Sequence, residues 1–276
     1  MSRAKHYLRA AGAIFRRDLR IFFRYPVDAI FWVFEPIMWL TPLHFMSRSF
    51  AVGGQNLGLA GYTGTSDYMA FLVLGGVIGS YVSSVMWSMG FSLKNEMDLG
   101  VLEVNWLTPV PVVIQLVGRS LFNLTHTTIK IACTMSLVWR IFGFSITGSI
   151  WPAFLTVLPM IIGLYGLGLG IAALVLISKN ANNIIDMTHF MVNTLSGREF
   201  PITVLPKFLL GFSLAIPLTY GYDAIRGLLL GTRTLLPVAT EQLLLVVVMA
   251  ISVFSGYLVF RRIERRCRAT GNLAHH

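Results

Sequence analysis

Two sets of residues in this chain have the types and spacing to do chemistry. The first consists of ionisable residues inside long apolar runs: Asp28 and Glu35, then Arg119, His126 and Lys130, then Asp186 and His189. A charge at membrane depth is costly, and it persists where it pairs, faces a wet cavity or relays protons. Glu35 and Lys130 lie deepest, so a structural Glu35–Lys130 pair and direct contact with a substrate are both open to them. Asp28 shares a helix face with Glu35, whereas Asp28, Arg119 and Asp186 fall near the ends of their runs. The second set is Glu96, Asp98 and Glu103, which stand among apolar residues in a connection that stops at Pro109 and Pro111. A short amphipathic helix with an acidic edge suits docking into a basic cleft, and an ordinary solvated loop also accounts for the composition. As one continuous helix, this stretch would carry Glu96 and Glu103 on the same face, with Gly100 permitting close approach between them.

Other chemistries find no support. Cys133 lies in an apolar run and Cys267 in a basic segment, so neither a disulfide nor a metal-ligand spacing is expected. No G-x-x-x-x-G-K-[ST] phosphate loop occurs, so the chain is expected to be no ATP-hydrolysing enzyme and to hold no ATP as a cofactor. Leu195-Ser196-Gly197 matches the start of the signature by which cassette ATPases grip nucleotide. Without a phosphate loop that match is a coincidence. Ser196-Gly197 reads instead as the break that ends a span, and Pro201, Pro206 and Pro217 follow it.

The elements that must position these residues follow from composition. With 55% hydrophobic residues, 12% charged residues and a mean hydropathy of +0.70, the chain lies outside the balance of a soluble domain. Its apolar runs are continuous and about 20 to 28 residues long, enough for helices across a ~30 Å core and unlike the alternating segments of a barrel. The expected fold is an all-α integral membrane protein with six transmembrane helices, near 27–47, 68–92, 112–139, 151–177, 184–200 and 242–260. Residues 1–26 are expected as an N-terminal cytoplasmic interfacial helix, 27–260 as the permease domain and 261–276 as a basic cytoplasmic tail. Tyr7, Ala11, Ile14, Phe15, Leu19 and Phe22 recur at helical spacing among arginines, which suits a lipid anchor and also a lever that transmits force. The N-terminal stretch lacks a cleavage site, and His275-His276 reads as a vector remnant.

An even number of spans returns both termini to one side. The basic residues from Arg3 to Arg24 and from Arg261 to Arg268 place that side in the cytoplasm by the positive-inside rule. The stretch 197–240 is then external despite Arg198, Lys207, Arg226 and Arg233, and its core from Phe208 to Leu218 is too short to cross. It is expected as short re-entrant helices between spans five and six, with backbone satisfied by other protein or a wet cavity.

Glu96, then Gly100-Val101-Leu102-Glu103, then Thr108-Pro109-Val110 resembles the E-x-x-x-G-T-L-E…T-P signature of type-2 ATP-binding cassette exporter permeases, with Val101 where Thr is usual. Ser196-Gly197…Phe200-Pro201-Ile202…Leu205-Pro206 and Pro217-Leu218-Thr219-Tyr220…Arg226-Gly227 are similar to the segment after that family's fifth helix. Arg198-Glu199 departs from the apolar residues usual between that Gly and the Phe-Pro. The resemblance implies a transporter subunit that partners two cassette ATPase subunits and a second permease copy, with homodimerisation favoured over heterodimerisation. ATP and Mg would be held by the ATPase. It further implies an ATPase-coupling helix at Glu96, Asp98, Gly100, Leu102, Glu103 and Pro109, residence in the cytoplasmic (inner) membrane, and no nucleic-acid partner.

Within that frame Phe34, Glu35, Trp39 and Asn193 are expected along a translocation path, with Phe31 and Trp32 nearby, and Arg198, Glu199, Phe200 and Pro201 at an external gate. A drug-like or lipid-like amphiphile is the expected substrate, and a polysaccharide or teichoic-type polymer is the alternative. A channel or ion-driven carrier would concentrate polar groups at mid-membrane or repeat its broken helices, and no inverted repeat is visible. A simple membrane anchor would leave the acidic connection without a purpose.

Overall fold

Helix boundaries follow the local signals closely. The computed structural model describes residues 3–24, 26–49, 51, 56–143, 148–178 and 181–270, and among these every element is helical. The order is α1 (Arg3–Phe22), α2 (Pro26–Ser49), α3 (Leu57–Thr63), α4 (Tyr68–Asp98), α5 (Leu102–Trp106), α6 (Val112–Phe142), α7 (Ile150–Ile177) and α8 (Ala181–Leu195). A 3₁₀ turn (Ile202–Val204), α9 (Lys207–Ala215), α10 (Pro217–Leu230) and α11 (Val238–Thr270) complete it. Asp67 caps α4 by accepting from the Ala70 amide at 2.9 Å. Pro217 starts α10, where its missing N–H costs nothing.

Among the described residues three helices, α4, α7 and α11, are long and apolar enough to cross a membrane, and the bent pair α9–α10 makes a fourth if counted as one broken span. The remaining expected spans are helices of a different kind. α2 and α6 carry charges, and the 15 residues of α8 reach only about 22 Å. The fifth apolar run therefore stops at Leu195 rather than near 200, because Ser196 and Gly197 break it. The last helix continues beyond 260 as far as Thr270, so Arg261 to Arg268 form its final turns rather than a separate extended tail.

α4 is the central post, flanked by α6, α7, α8 and α10, and α7 packs along much of α11. A side chain on Gly256 would strike the Gly166 backbone, which is how small residues let two membrane helices approach closely. α1 is helical as its periodicity implies, and its apolar face lies against α6: Ala11 abuts Gly118, and Phe15 meets Phe122 edge to face at 5.9 Å. α1 is thus docked on protein as well as able to face lipid.

Past α8 the chain turns irregular, and side chains satisfy its backbone. Arg226 of α10 is 3% exposed and donates to the carbonyl oxygens of Gly197, Arg198 and Phe71, the last at 3.2 Å. Its guanidinium also sits 3.5 Å from the Phe71 ring centroid. Ser213 donates to the Leu195 carbonyl, Thr219 donates to the Ser213 carbonyl at 2.6 Å, and Glu241 accepts from the Leu236 amide at 3.0 Å. α9 and α10 meet at 90°. Replacing Arg226 with Leu strands three buried carbonyls and is expected to cost about 3 kcal/mol or more. Thermal unfolding of the purified chain in detergent checks this, and an unchanged midpoint would show that the clasp is dispensable.

Candidate functional site

One end of the bundle gathers α5, the C-terminal turns of α4 and α11, and the start of α6. Gly100 (φ +66°) ends α4 in a left-handed residue, and α5 starts afresh two residues later. Glu96 and Glu103 therefore do not share a helix face: the chain turns between them, and a side chain at Gly100 would meet nothing within 4 Å. Glu96, expected on the docking surface, instead points inward. It is 6% exposed and pairs with Arg119 of α6, which also donates to Ser92. Asp98 stays exposed in an ion pair with Lys94.

Leu102 is buried in the main core, while Glu103 and Pro109 are exposed. Around Glu103 stand apolar side chains with little cover, Val104 at 65% and Leu107 at 86% exposure, joined by Leu99 and Val101. Their alternation with buried Leu102 and Trp106 was legible as an amphipathic turn, but how far they project was not. The knob is held firmly from behind. Gln115 donates to the Val110 and Asn105 carbonyls at 3.1 and 3.3 Å, and Arg268 of α11 lies 5.0 Å from the Trp106 ring centroid.

Midway along the bundle, two cavities adjoin. The polar one, about 650 Å³, is walled by serines of α4 (Ser80, Ser83, Ser84, Ser88), with Asn123, Thr127 and His189 opposite. Ser83 and His189 Nε2 are 2.6 Å apart. The second, about 570 Å³, is lined mainly by apolar side chains, among them Phe31, Met38, Val73, Val77 and Met135. Glu35, Ser80, Lys130 and Arg198 belong to both. Lys130 Nζ donates to Glu35 Oε2 at 2.6 Å, so the two deep charges do meet. The serine face could have been recognised from the spacing of Ser80, Ser83, Ser84 and Ser88 on one side of a helix.

The other expected path and gate residues divide. Trp39 lines the apolar cavity, whereas Phe34 lines neither cavity and is 52% exposed. The side chains of Asp28 and Trp32 fall outside the described residues. Asn193 is buried beside the cavities rather than in their walls: it donates to the His189 carbonyl at 2.9 Å and accepts from Arg198 at 3.3 Å. Arg198 is no surface partner of Glu199. It turns inward over α4 near Gly79, with its guanidinium 5.0 Å from the Trp39 ring centroid, while Glu199 is exposed. Phe200 and Pro201 are half-buried, and Pro201 borders a small cavity of about 120 Å³ next to Arg226.

The family model for the ABC-2 type transporter matches residues 9–230. The chain belongs to the ABC-2 type transporter family. No curated protein shows significant similarity to it. The ABC-2 match runs from within α1 to the end of α10, so the knob, the Arg226 clasp and both cavities lie inside the family's domain, and α11 lies beyond it. The chain is therefore an integral membrane component of an ABC transporter, not itself catalytic, of a family that normally works with an ATPase subunit.

The ABC-2 knob is tied to α6 through Glu96 and Arg119, and the tie can be tested. Removing one partner of a pair this buried leaves an uncompensated charge and is expected to cost about 3 kcal/mol. Glu96→Arg and Arg119→Glu should each destabilise, and the double exchange should recover much of the loss in a double-mutant cycle of thermal unfolding. Strictly additive losses would break the assignment.

Proposed function

We propose that this chain is the permease subunit of an ATP-driven exporter, moving an amphiphilic, drug-like or lipid-like substrate from the cytoplasm or inner leaflet. ATP and Mg bind to two separate cassette ATPase subunits. Six helices span the membrane: α2, α4, α6, α7, α8 and α11, with the shorter α8 completed by the clasped segment behind it. α9 and α10 form a re-entrant element on the outer side. The knob, α1 and the end of α11 share one end of the bundle, and their arginines favour the cytoplasmic face of the cytoplasmic membrane for it.

The observation that carries this reading is the knob itself. α5 projects Val104, Leu107 and the Glu103 carboxylate while its base is tied to α4, α6 and α11. A rigid apolar knob with an acidic rim fits a cleft on an ATPase, and motion of that cleft moves the helices that carry the knob. The adjoining polar and apolar cavities support the amphiphilic substrate. A second permease copy closes the path from the other side by symmetry. Its contact surface lies along α2 and α8, where Phe34, Met38, Met187 and Phe190 are exposed.

Reconstituted with its ATPase, the chain is expected to move substrate only when ATP is supplied, and equal flux without the ATPase would overturn the reading. Glu103→Arg is expected to weaken ATPase docking by about 2 kcal/mol and abolish substrate-stimulated hydrolysis while leaving the fold intact. Co-purification and hydrolysis assays read both effects, and normal assembly with normal stimulation would make the knob a solvated turn.

Pairing of copies has its own check. In a background lacking Cys133 and Cys267, cysteines placed along α2 and α8 should crosslink between copies in native membranes. Failure of every position while the ATPase stays bound would rule out this interface.

A further inference from the structure

The two adjoining cavities carry an unequal set of charges. Among the described residues lining them, Lys130 and Arg198 are cationic and Glu35 is the one carboxylate. Glu35 is already engaged by Lys130 at 2.6 Å. Among the described residues Arg198 has no such counterion: its side-chain polar contact is the neutral amide oxygen of Asn193 at 3.3 Å, its face lies against Trp39, and its Nε is buried without an acceptor. The carboxylate next to it in sequence, Glu199, is exposed. A cation in that position is costly at membrane depth without water or a partner, and an anionic ligand entering the cavity would supply the partner.

The placement of Arg198 adds direction. It stands where the serine-lined cavity, whose Ser80, Ser83 and Ser88 hydroxyls donate to carbonyls of their own helix, meets the apolar one walled by Phe31, Met38, Val77 and Met135. A ligand that suits both cavities together has a small anionic head and a hydrocarbon tail. The head would meet the guanidinium on the polar side, and the tail the apolar wall.

We propose that the substrate of this site is an amphiphile with an anionic headgroup, such as a phosphate or carboxylate, and that Arg198 is the residue that selects its charge. The proposal rests on the permease reading and names the substrate class for it. Guanidinium–oxyanion hydrogen bonds are charge-assisted and often bidentate, so they favour a phosphate or carboxylate over a zwitterion in the same place. Glu35 acts in the opposite sense, because it offsets one of the two positive charges.

The test is a binding titration on the purified full-length chain in uncharged detergent. The probes are 12-bromododecyl phosphate and 12-bromododecylphosphocholine, whose brominated tails quench Trp39 in the apolar wall, and Trp39→Phe identifies that signal. Tighter binding of the phosphate is expected. Arg198→Gln should weaken it roughly tenfold and leave the phosphocholine unchanged. Arg198→Lys should retain part of the preference. Glu35→Gln should tighten phosphate binding, and it keeps the proposal falsifiable if Arg198→Gln folds poorly.

A second arm uses nanodiscs with chain-brominated phosphatidic acid against chain-brominated phosphatidylcholine. Charge-selective quenching there assigns the headgroup to a bilayer lipid, and selectivity confined to the single-chain phosphate assigns it to a monomeric amphiphile. Binding that ignores headgroup charge in both arms, or is unaltered by both Arg198→Gln and Glu35→Gln, overturns the proposal. The titration needs neither ATP nor ATPase. Charge-selective binding without ATP-driven flux would therefore count against the exporter reading alone, and charge-blind binding with flux intact against this inference alone.

Discussion

A guanidinium taken out of water must find acceptors, and broken backbone at membrane depth must find donors. Arg226 answers both needs at once. Its hydrogen bonds to the Gly197 and Arg198 carbonyls hold the chain just past α8, and its bond to the Phe71 carbonyl ties that chain to the first turn of α4. Much of the rest depends on this clasp. The Arg198 carbonyl, held by Arg226, lies over Gly75 of α4, and the Arg198 side chain runs one turn along the same helix face, over Gly79 and towards Trp39 and the cavities. The short α8 can end where it does because its exposed carbonyls have partners, among them Ser213 on the Leu195 oxygen.

α4 links this clasp to the far end of the molecule. Its 31 residues run about 46 Å, carrying Phe71 at one end, the serine face in the middle and Glu96 at the other. One rigid post thus touches the clasp, the cavities and the base of the knob. Movement imposed at α5 would reach the cavities through α4, and through α6 by way of Arg119, without a chain of side-chain rearrangements. The buried Glu96–Arg119 pair suits a structural tie better than a docking charge, since parting the two would leave a desolvated charge without its partner. Glu103, beyond the Gly100 turn, is left as the acidic group available to a partner.

Part of the site is legible in the amino-acid sequence, for identifiable reasons. Glu35 and Lys130 had to meet something because each is costly alone in an apolar run, and the apolar runs offer few opposite charges; they do pair, across 95 residues of sequence. Phe34 and Asn193 lie outside the walls of the two cavities, because helical spacing says which residues share a face but not what that face looks at. Arg198 and Glu199 were expected together at an external gate, since adjacency in the chain does not tell which way each side chain turns. Their separation is decided by Arg226, which is 28 residues away from Arg198 in the chain.

The division between sequence and structure follows from the range of the forces involved. Membrane residence, all-helical architecture, the helix-starting proline of α10, the amphipathic α1 and the absence of a phosphate loop are local properties of composition, run length and spacing, and the sequence alone determined them. Helix lengths at polar breaks, the turn at Gly100 that parts Glu96 from Glu103, and the inward course of Arg198 depend on partners far along the chain. Arg226 and Phe71 are 155 residues apart, and Glu96 finds Arg119 only because α4 and α6 pack side by side. Charges in a low-dielectric interior go where acceptors are, and where the acceptors are is settled only when the helices have packed.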